Sequence, residues 1–171
     1  MQLKIITLCL ILSGSLSAQT LKTFSVTMQP DSLCYLSVKN QKAYVAGQAS
    51  GNKAELDLGL FETKSNKTSI TEWFNLKSDN EKVPASLTGT ATKIAAISFD
   101  NDQFTKCKTV ADLKRMTGYL STNSLAHFAV IRNSNDYYQR CFIIENAAGK
   151  RGLLFVTETG NGHLKVEVKT E

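Results

Sequence analysis

The sequence contains little proline or glycine. Two prolines and ten glycines among 171 residues exclude collagen-like and Pro/Gly-rich disordered chains. Hydrophobic residues make up 42% of the chain, which is enough for a packed core. The length suits one domain, and neither a repeat nor a low-complexity linker divides it. We therefore expect a single domain.

The common catalytic signatures are also missing. The phosphate loop and the dinucleotide-binding glycine pattern are absent. Residues 47–51 carry their serine one place too late for the nucleophile elbow of a serine hydrolase. The sequence motifs therefore indicate no cofactor and no catalytic residue.

Metal-binding patterns are not met either. The chain has no Cys-x-x-Cys, and His127 and His163 lie far from the cysteines in sequence, which argues against zinc. The acidic triplet at residues 100–102 is followed by Phe104 and Thr105, where a calcium-binding EF-hand loop needs an oxygen ligand and a glycine. We interpret the triplet as a solvated turn and expect no metal site.

The longest apolar run lies at the N-terminus and is typical of a secretory signal peptide. Lys4 is followed by eight apolar or small residues at 5–12 and by small residues at 13–18. Cleavage after Ala18 leaves Gln19 first, and cleavage one residue earlier is the alternative. Residues 19–171 then form the exported domain, without a transmembrane segment, in the periplasm, the outer envelope or the medium.

Export permits a disulfide bond. Cys34, Cys107 and Cys141 remain after the signal peptide is removed, and they allow three pairings. We favour Cys107–Cys141, because Cys107 lies in a loop that could reach the strand carrying Cys141. The alternative is that all three thiols are reduced and act as small core residues.

The formal net charge of +5 is spread along the sequence. Lys106, Lys108, Lys114 and Arg115 form the densest basic patch, and Asp112 dilutes it. Nucleic-acid binding requires a basic stripe with interleaved aromatic residues. We therefore expect no nucleic-acid partner, and a ligand or protein of the envelope or the extracellular space instead.

Apolar residues alternate with polar ones along most of the chain, which indicates half-buried strands. We predict a mainly β, antiparallel sandwich-like domain with one short helix. The helix spans 109–120, because Thr109 and Asp112 form a capping box and Gly118 favours its end. Predicted strands include residues 24–28, 34–38, 56–60 and 126–132.

The C-terminal third has the strongest pattern. Residues 138–145, 152–157 and 164–168 are joined by short turns and predict a three-strand antiparallel meander. The pair Asn161-Gly162 favours a tight turn with positive φ. Residues 72–89 show no clear pattern, and a long surface loop is predicted at 78–84.

Two stretches of the sequence carry a family resemblance. One is SVKNQKAY at residues 37–44, leading through Ala49 to LDLGLF at 56–61. The other is GKRGLLFV at 149–156, continuing to residue 169. Both resemble a group of uncharacterised small exported β-sandwich-like proteins of Bacteroidetes-type bacteria. Together they cover about a third of the chain. The resemblance implies a sandwich fold and an envelope location, and it carries over no catalytic residues.

Aromatic side chains beside arginines provide the candidate ligand-binding residues, because exposed aromatic rings stack on sugars and anchor protein interfaces. These candidates are Trp73, Tyr137, Tyr138, Arg132 and Arg140. The alternative for Trp73 is that it is simply the largest core residue.

Our first hypothesis is a non-enzymatic exported domain that binds a ligand or partner. The second is a secreted hydrolase in which His127 or His163 meets a cysteine or serine. The third is a structural subunit of an envelope assembly, which predicts a large exposed apolar patch or an oligomer in solution.

Expression of the whole chain in a secreting bacterial host tests the signal peptide. We expect mass spectrometry of the exported protein to find Gln19 as the first residue, because Ala18 ends the small-residue region that signal peptidase recognises. Replacing Ala18 and Ser17 with bulky residues should retain the N-terminal segment. An exported protein that still begins at Met1 would contradict the prediction.

Overall fold

A computed structural model describes residues 19–66, 68–77, 87, 89–135 and 137–171. The predicted signal peptide and the whole of the loop predicted at 78–84 lie outside these ranges. In the described part of the chain, ten strands form two five-stranded antiparallel sheets, which confirms the predicted sandwich-like class.

Sheet I contains both ends of the domain. Its strand order is β1-β10-β9-β8-β6. The bounds are β1 Lys22–Met28, β6 Lys93–Ile97, β8 Cys141–Glu145, β9 Arg151–Glu158 and β10 Leu164–Thr170. Strands β8, β9 and β10 are the predicted meander.

Sheet II is built from the middle of the chain. Its strand order is β3-β2-β4-β5-β7. The bounds are β2 Cys34–Ser37, β3 Lys42–Val45, β4 Leu58–Lys64, β5 Ser69–Asn75 and β7 Phe128–Asn133. Sequence analysis missed β5, the strand that carries Trp73.

The inner faces of the two sheets bury the main core. Val166 and Val168 of β10 point inward between polar neighbours, as their alternation predicts. Trp73 is fully buried between the sheets. Other members of this core are Met28, Leu36, Leu58, Leu60, Ile94, Ile131, Phe142, Leu154 and Val156.

Parts of the outer faces are apolar too, and short helices cover them. Helices α2 (Asn101–Lys106) and α3 (Val110–Thr117) pack on the outer face of sheet I. Helix α1 (Ala46–Ala49), with the 3-10 helix Ser50–Glu55 after it, lies against sheet II, where Tyr35 and Phe74 are buried.

The helix predicted at 109–120 is confirmed as α3, although it ends at Thr117. Thr109 and Asp112 form the full capping box, in which each side chain accepts a hydrogen bond from the other residue's backbone N–H. Helix α2 corrects the interpretation of residues 100–102 as a solvated turn. Asp100 is its N-cap and forms a second capping box with Gln103.

Two further backbone features concern the edge of sheet I and the β9–β10 connection. Ile94 and Ala126 exchange hydrogen bonds of 3.0 and 2.8 Å, so the segment entering β7 of sheet II also pairs with the edge of sheet I. Asn161 and Gly162 have φ angles of 67° and 74°, as their sequence predicts. The β9–β10 connection is longer than a two-residue turn, since pairing resumes only between Glu158 and Leu164.

Gly59 leaves the space that the Phe74 ring occupies. A Cβ at position 59 would lie 2.1 Å from Cζ of Phe74, and Phe74 is fully buried. We expect Gly59→Ala to lower the free energy of unfolding by about 1–3 kcal/mol through overpacking, measured by urea denaturation.

Gly47→Ala is the matched control, because nothing lies within 4 Å of the added methyl group. It should leave the free energy of unfolding unchanged or raise it by up to about 1 kcal/mol. Equal effects of the two substitutions would contradict the packing around Gly59.

Candidate functional site

A cleft opens at one end of the sandwich, between turns of both sheets. Sheet I supplies the start of β1, the β8–β9 turn and the end of β10, and sheet II supplies the β2–β3 turn and the segment before β4. We call it the end cleft. Its volume is about 530 Å³, and a smaller recess of about 70 Å³ adjoins it. Its lining includes Lys22, Lys39, Glu55, Asp57, Thr90, Asn146, Lys150, Thr170 and Glu171.

Asp57 lines both the cleft and its recess, and the residue is only 7% exposed. Its Oδ2 accepts a hydrogen bond of 2.7 Å from the Val38 backbone N–H. Its Oδ1 accepts hydrogen bonds of 2.8 Å from the Thr90 hydroxyl and 3.0 Å from the Thr92 hydroxyl. The carboxylate therefore ties the β2–β3 turn to the segment that enters β6.

On the sheet II wall, Lys39 and Glu55 neutralise each other. Lys39 forms an ion pair with Glu55, and Asn40 Nδ2 donates to the other oxygen of Glu55 at 2.7 Å. Asn40 Nδ2 also lies 3.1 Å from the Tyr44 hydroxyl. These contacts hold the side chains of this wall to one another.

The sheet I wall carries charges that are less fully paired. Lys22 lies opposite Thr170 in the β1–β10 register, and Lys150 ends the β8–β9 turn, where Asn146 Oδ1 accepts its backbone N–H. Among the described residues, neither lysine side chain forms an ion pair. The Glu171 carboxylate accepts a hydrogen bond from the Arg151 backbone N–H at 3.2 Å.

A buried ion pair supports this wall. Arg151 Nε donates to Glu145 at 2.8 Å, and both side chains are largely buried. The other nitrogens of the guanidinium donate to the carbonyls of Thr117 and Leu120 at the end of α3. Removing either charge would leave the other buried without its partner, at a cost of several kcal/mol. The wall is therefore anchored to α3.

Chemically, the end cleft offers a buried carboxylate at its floor and primary amines at its rim. Those groups can bind charged ends of a ligand. Sequence analysis missed Asp57 because it alternates with Leu56 and Leu58, a pattern that places it on the solvent side of a strand. An acidic residue within so apolar a segment was the available signal.

The residues predicted to bind ligand occupy other places. Trp73 is in the core between the sheets, as the alternative interpretation has it, so its ring is not available at the surface. Arg132, Tyr137, Tyr138 and Arg140 lie together around the turn that follows β7. Their role in binding stays a prediction.

The Arg132 side chain takes part in an ion-pair network. It contacts Glu158, it lies 3.8 Å from Glu62, and its Nε donates to the Thr71 hydroxyl at 3.1 Å. Burial raises the pKa of Glu62, but hydrogen bonds from Ser69 and Lys64 and the nearby positive charges outweigh it and hold that pKa below its ordinary value. The network joins β4, β5, β7 and β9.

Tyr138 and Tyr137 differ in exposure. Burial raises the pKa of Tyr138, and the Arg140 guanidinium lies 5.2 Å from the centre of its ring. Tyr137 is 44% exposed. Of the two tyrosines, Tyr137 therefore presents the larger part of its surface to a partner.

The cysteines are buried free thiols. This agrees with the alternative prediction of three reduced thiols and not with the favoured Cys107–Cys141 disulfide. Cys107 and Cys141 share the core beneath α2 and α3, and Cys34 lies in the core between the sheets. Burial raises the pKa of Cys34 and of Cys141 to about 12, and it also raises the pKa of Cys107. All three are therefore protonated at neutral pH, whereas a nucleophilic cysteine needs the thiolate.

Neither histidine ring is hydrogen-bonded to a cysteine or a serine of the described residues. The His163 ring pairs with the Gln29 side chain at 2.8 Å. His127 lies exposed just before β7, and its carbonyl accepts the Asn75 N–H. In the described ranges, no hydrogen bond links either ring to a nucleophile of the kind that a hydrolase requires.

Fold and site together define a mainly β, two-sheet domain with a charged cleft at one end. Comparison with protein-family models, with curated proteins and with solved structures found no match. The resemblance to the exported Bacteroidetes-type proteins therefore stays a prediction. No helix in the described part of the chain is long and apolar enough to span a membrane.

Burial of the thiols predicts their reactivity in the folded protein. Iodoacetamide at mildly alkaline pH should label Cys34, Cys107 and Cys141 slowly in the folded protein, because they are at most 2% exposed and protonated. After denaturation without a reductant, all three should label completely.

Peptide mass spectrometry distinguishes the outcomes. Rapid labelling of one thiol in the folded protein would contradict its burial. Labelling of Cys34 alone after denaturation would show that Cys107 and Cys141 are joined by a disulfide.

Proposed function

We propose that this protein is an exported, non-enzymatic binding domain that holds a ligand in its end cleft. The observation that carries the proposal is the cleft itself. Its floor is a buried carboxylate, and two lysines without ion pairs among the described residues stand at its rim. A concave site with a few convergent polar groups is the usual form of a ligand site.

The supporting walls favour binding over a purely structural role for the cleft. Asp57 and the Arg151–Glu145 pair fix both walls through side chains that are largely buried. A rigid, preorganised site loses less conformational entropy when a ligand binds. The ligand is therefore expected to meet a cleft that is already formed.

Export is proposed from the N-terminal sequence. Residues 5–12 and 13–18 have the composition of a signal peptide. The partner is accordingly a small molecule or a protein segment of the periplasm, the outer envelope or the extracellular space.

The alternative functions have less support. The hydrolase hypothesis needs a histidine beside a nucleophile, and His163 pairs with Gln29 instead. The envelope-subunit hypothesis predicts a large exposed apolar patch or an oligomer in solution. The exposed large apolar side chains of the described ranges lie on several different elements: Val45, Ile70, Tyr119, Phe128 and Tyr137.

A nuclear magnetic resonance titration of the ¹⁵N-labelled exported protein tests the proposal. The probes are dialanine, maltose, succinate and spermidine, which represent zwitterionic, neutral, anionic and cationic compounds. At least one probe should shift backbone amide signals around the cleft, including those of Val38, Thr90 and Arg151, in a saturable manner. If none does, the proposal is overturned.

Blocking the cleft supplies the specificity control. Ala147 lies in the exposed β8–β9 turn and lines the cleft, so Ala147→Trp should abolish the shifts. Ala111→Trp places the same side chain on the exposed side of α3 and should leave them unchanged. Shifts that survive in Ala147→Trp would place the binding elsewhere and overturn the proposal.

A further inference from the structure

We propose that the end cleft recognises a zwitterion, namely an amino acid or a short peptide with free termini. The ligand's ammonium group binds the Asp57 carboxylate at the floor, and its carboxylate binds Lys150 and Lys22 at the rim. This inference rests on the proposed function and adds the chemical class of the ligand.

The first argument is the state of Asp57. Its carboxylate is buried and accepts three hydrogen bonds, all from neutral donors. No ion pair joins it to a basic side chain in the described ranges. Two carboxylate oxygens offer about four acceptor positions, so the described residues leave one of them unused. A ligand ammonium would complete this set and neutralise a buried charge.

The second argument is the difference among the three lysines of the cleft. Glu55 pairs with Lys39, while Lys22 and Lys150 have no ion pair among the described residues. Even with the Glu171 carboxylate on the same wall, these two amines leave it with a net positive charge, which favours a negative group there. A carboxylate forms short, charge-assisted hydrogen bonds with such amines.

The third argument is the balance of charge. Lys22, Lys39 and Lys150 line the cleft together with Glu55, Asp57 and Glu171. A polyanion would be repelled by the carboxylates, and a polycation by the amines. A ligand that carries one charge of each sign avoids both penalties.

The size and the remaining surface agree with this class. A volume of about 530 Å³ lies within the range of roughly 300–1,000 Å³ typical of small-molecule sites. No aromatic side chain is among the described residues that line the cleft and its recess. The stacking platform that favours sugars is therefore missing from this lining.

Titration with matched peptides tests the inference. The probes are dialanine, which carries both terminal charges, N-acetyl-dialanine, which keeps only the carboxylate, and dialanine amide, which keeps only the ammonium group. Binding to the exported protein is measured from amide shifts around the cleft. Dialanine should bind about tenfold or more tightly than either capped peptide, because each cap removes a charged hydrogen bond.

Substitutions in the protein should reproduce the effects of the caps. Asp57→Asn can keep its neighbours, since the amide oxygen can accept from Val38 N–H and the amide group can donate to the threonine hydroxyls. It should weaken dialanine about tenfold and leave N-acetyl-dialanine unchanged. Lys22→Gln combined with Lys150→Gln should weaken dialanine similarly and leave dialanine amide unchanged.

Two control variants carry the same chemical changes outside the cleft. Asp31→Asn and Lys114→Gln alter exposed residues and should leave the affinity for dialanine as it is. The lysine double variant changes only surface side chains, so it tests the inference even if Asp57→Asn fails to fold. A ratio of affinities for free and capped peptides is also insensitive to a partly unfolded sample.

The outcomes separate the inference from the function on which it rests. Equal binding of free and capped peptides overturns the zwitterion assignment and leaves the binding domain standing. Binding of maltose, succinate or spermidine in the cleft without dialanine does the same. Failure of every probe overturns both.

Discussion

The burial of apolar side chains on both faces of the central strands is the constraint on which this fold depends. Apolar residues of β8 and β9 point alternately toward sheet II and toward α2 and α3. A sheet with two apolar faces needs a layer on each side. This explains why a small domain adds short helices to its sandwich, and why Trp73 and its neighbour Phe74 are both fully buried, on opposite faces.

At the end of the sandwich, buried polar side chains hold the turns and connecting segments in place. Asp57 holds the β2–β3 turn and the segment before β6 by three hydrogen bonds. Arg151 holds the β8–β9 region to Glu145 and to the end of α3. Buried polar groups require such partners, so the residues that satisfy one another also fix the geometry of the end cleft. Lys169 stabilises α2 in the same way, because its ammonium group donates to the carbonyls of Phe104 and Cys107.

Several elements could be predicted because their causes are local. The alternation of Leu164, Val166 and Val168 indicates a strand with one wet face, and Thr109 with Asp112 indicates where α3 begins. Strand β5 could not be recognised, because Trp73 and Phe74 are both buried and the polar–apolar alternation is lost. Helix α2 has a capping signal at Asp100 and Gln103, but its single buried residue, Phe104, gives no periodicity.

The sequence by itself determined the fold class, the C-terminal meander and the principal helix, since these follow from periodicity and capping within a few residues. Only the tertiary structure decided the pairing of β1 with β10, the state of the cysteines and the location of the end cleft. Asp57 and Lys150 are far apart in the chain, and both line that cleft because the two sheets pack face to face. A contact of that kind depends on how the whole core assembles, and no local pattern records it.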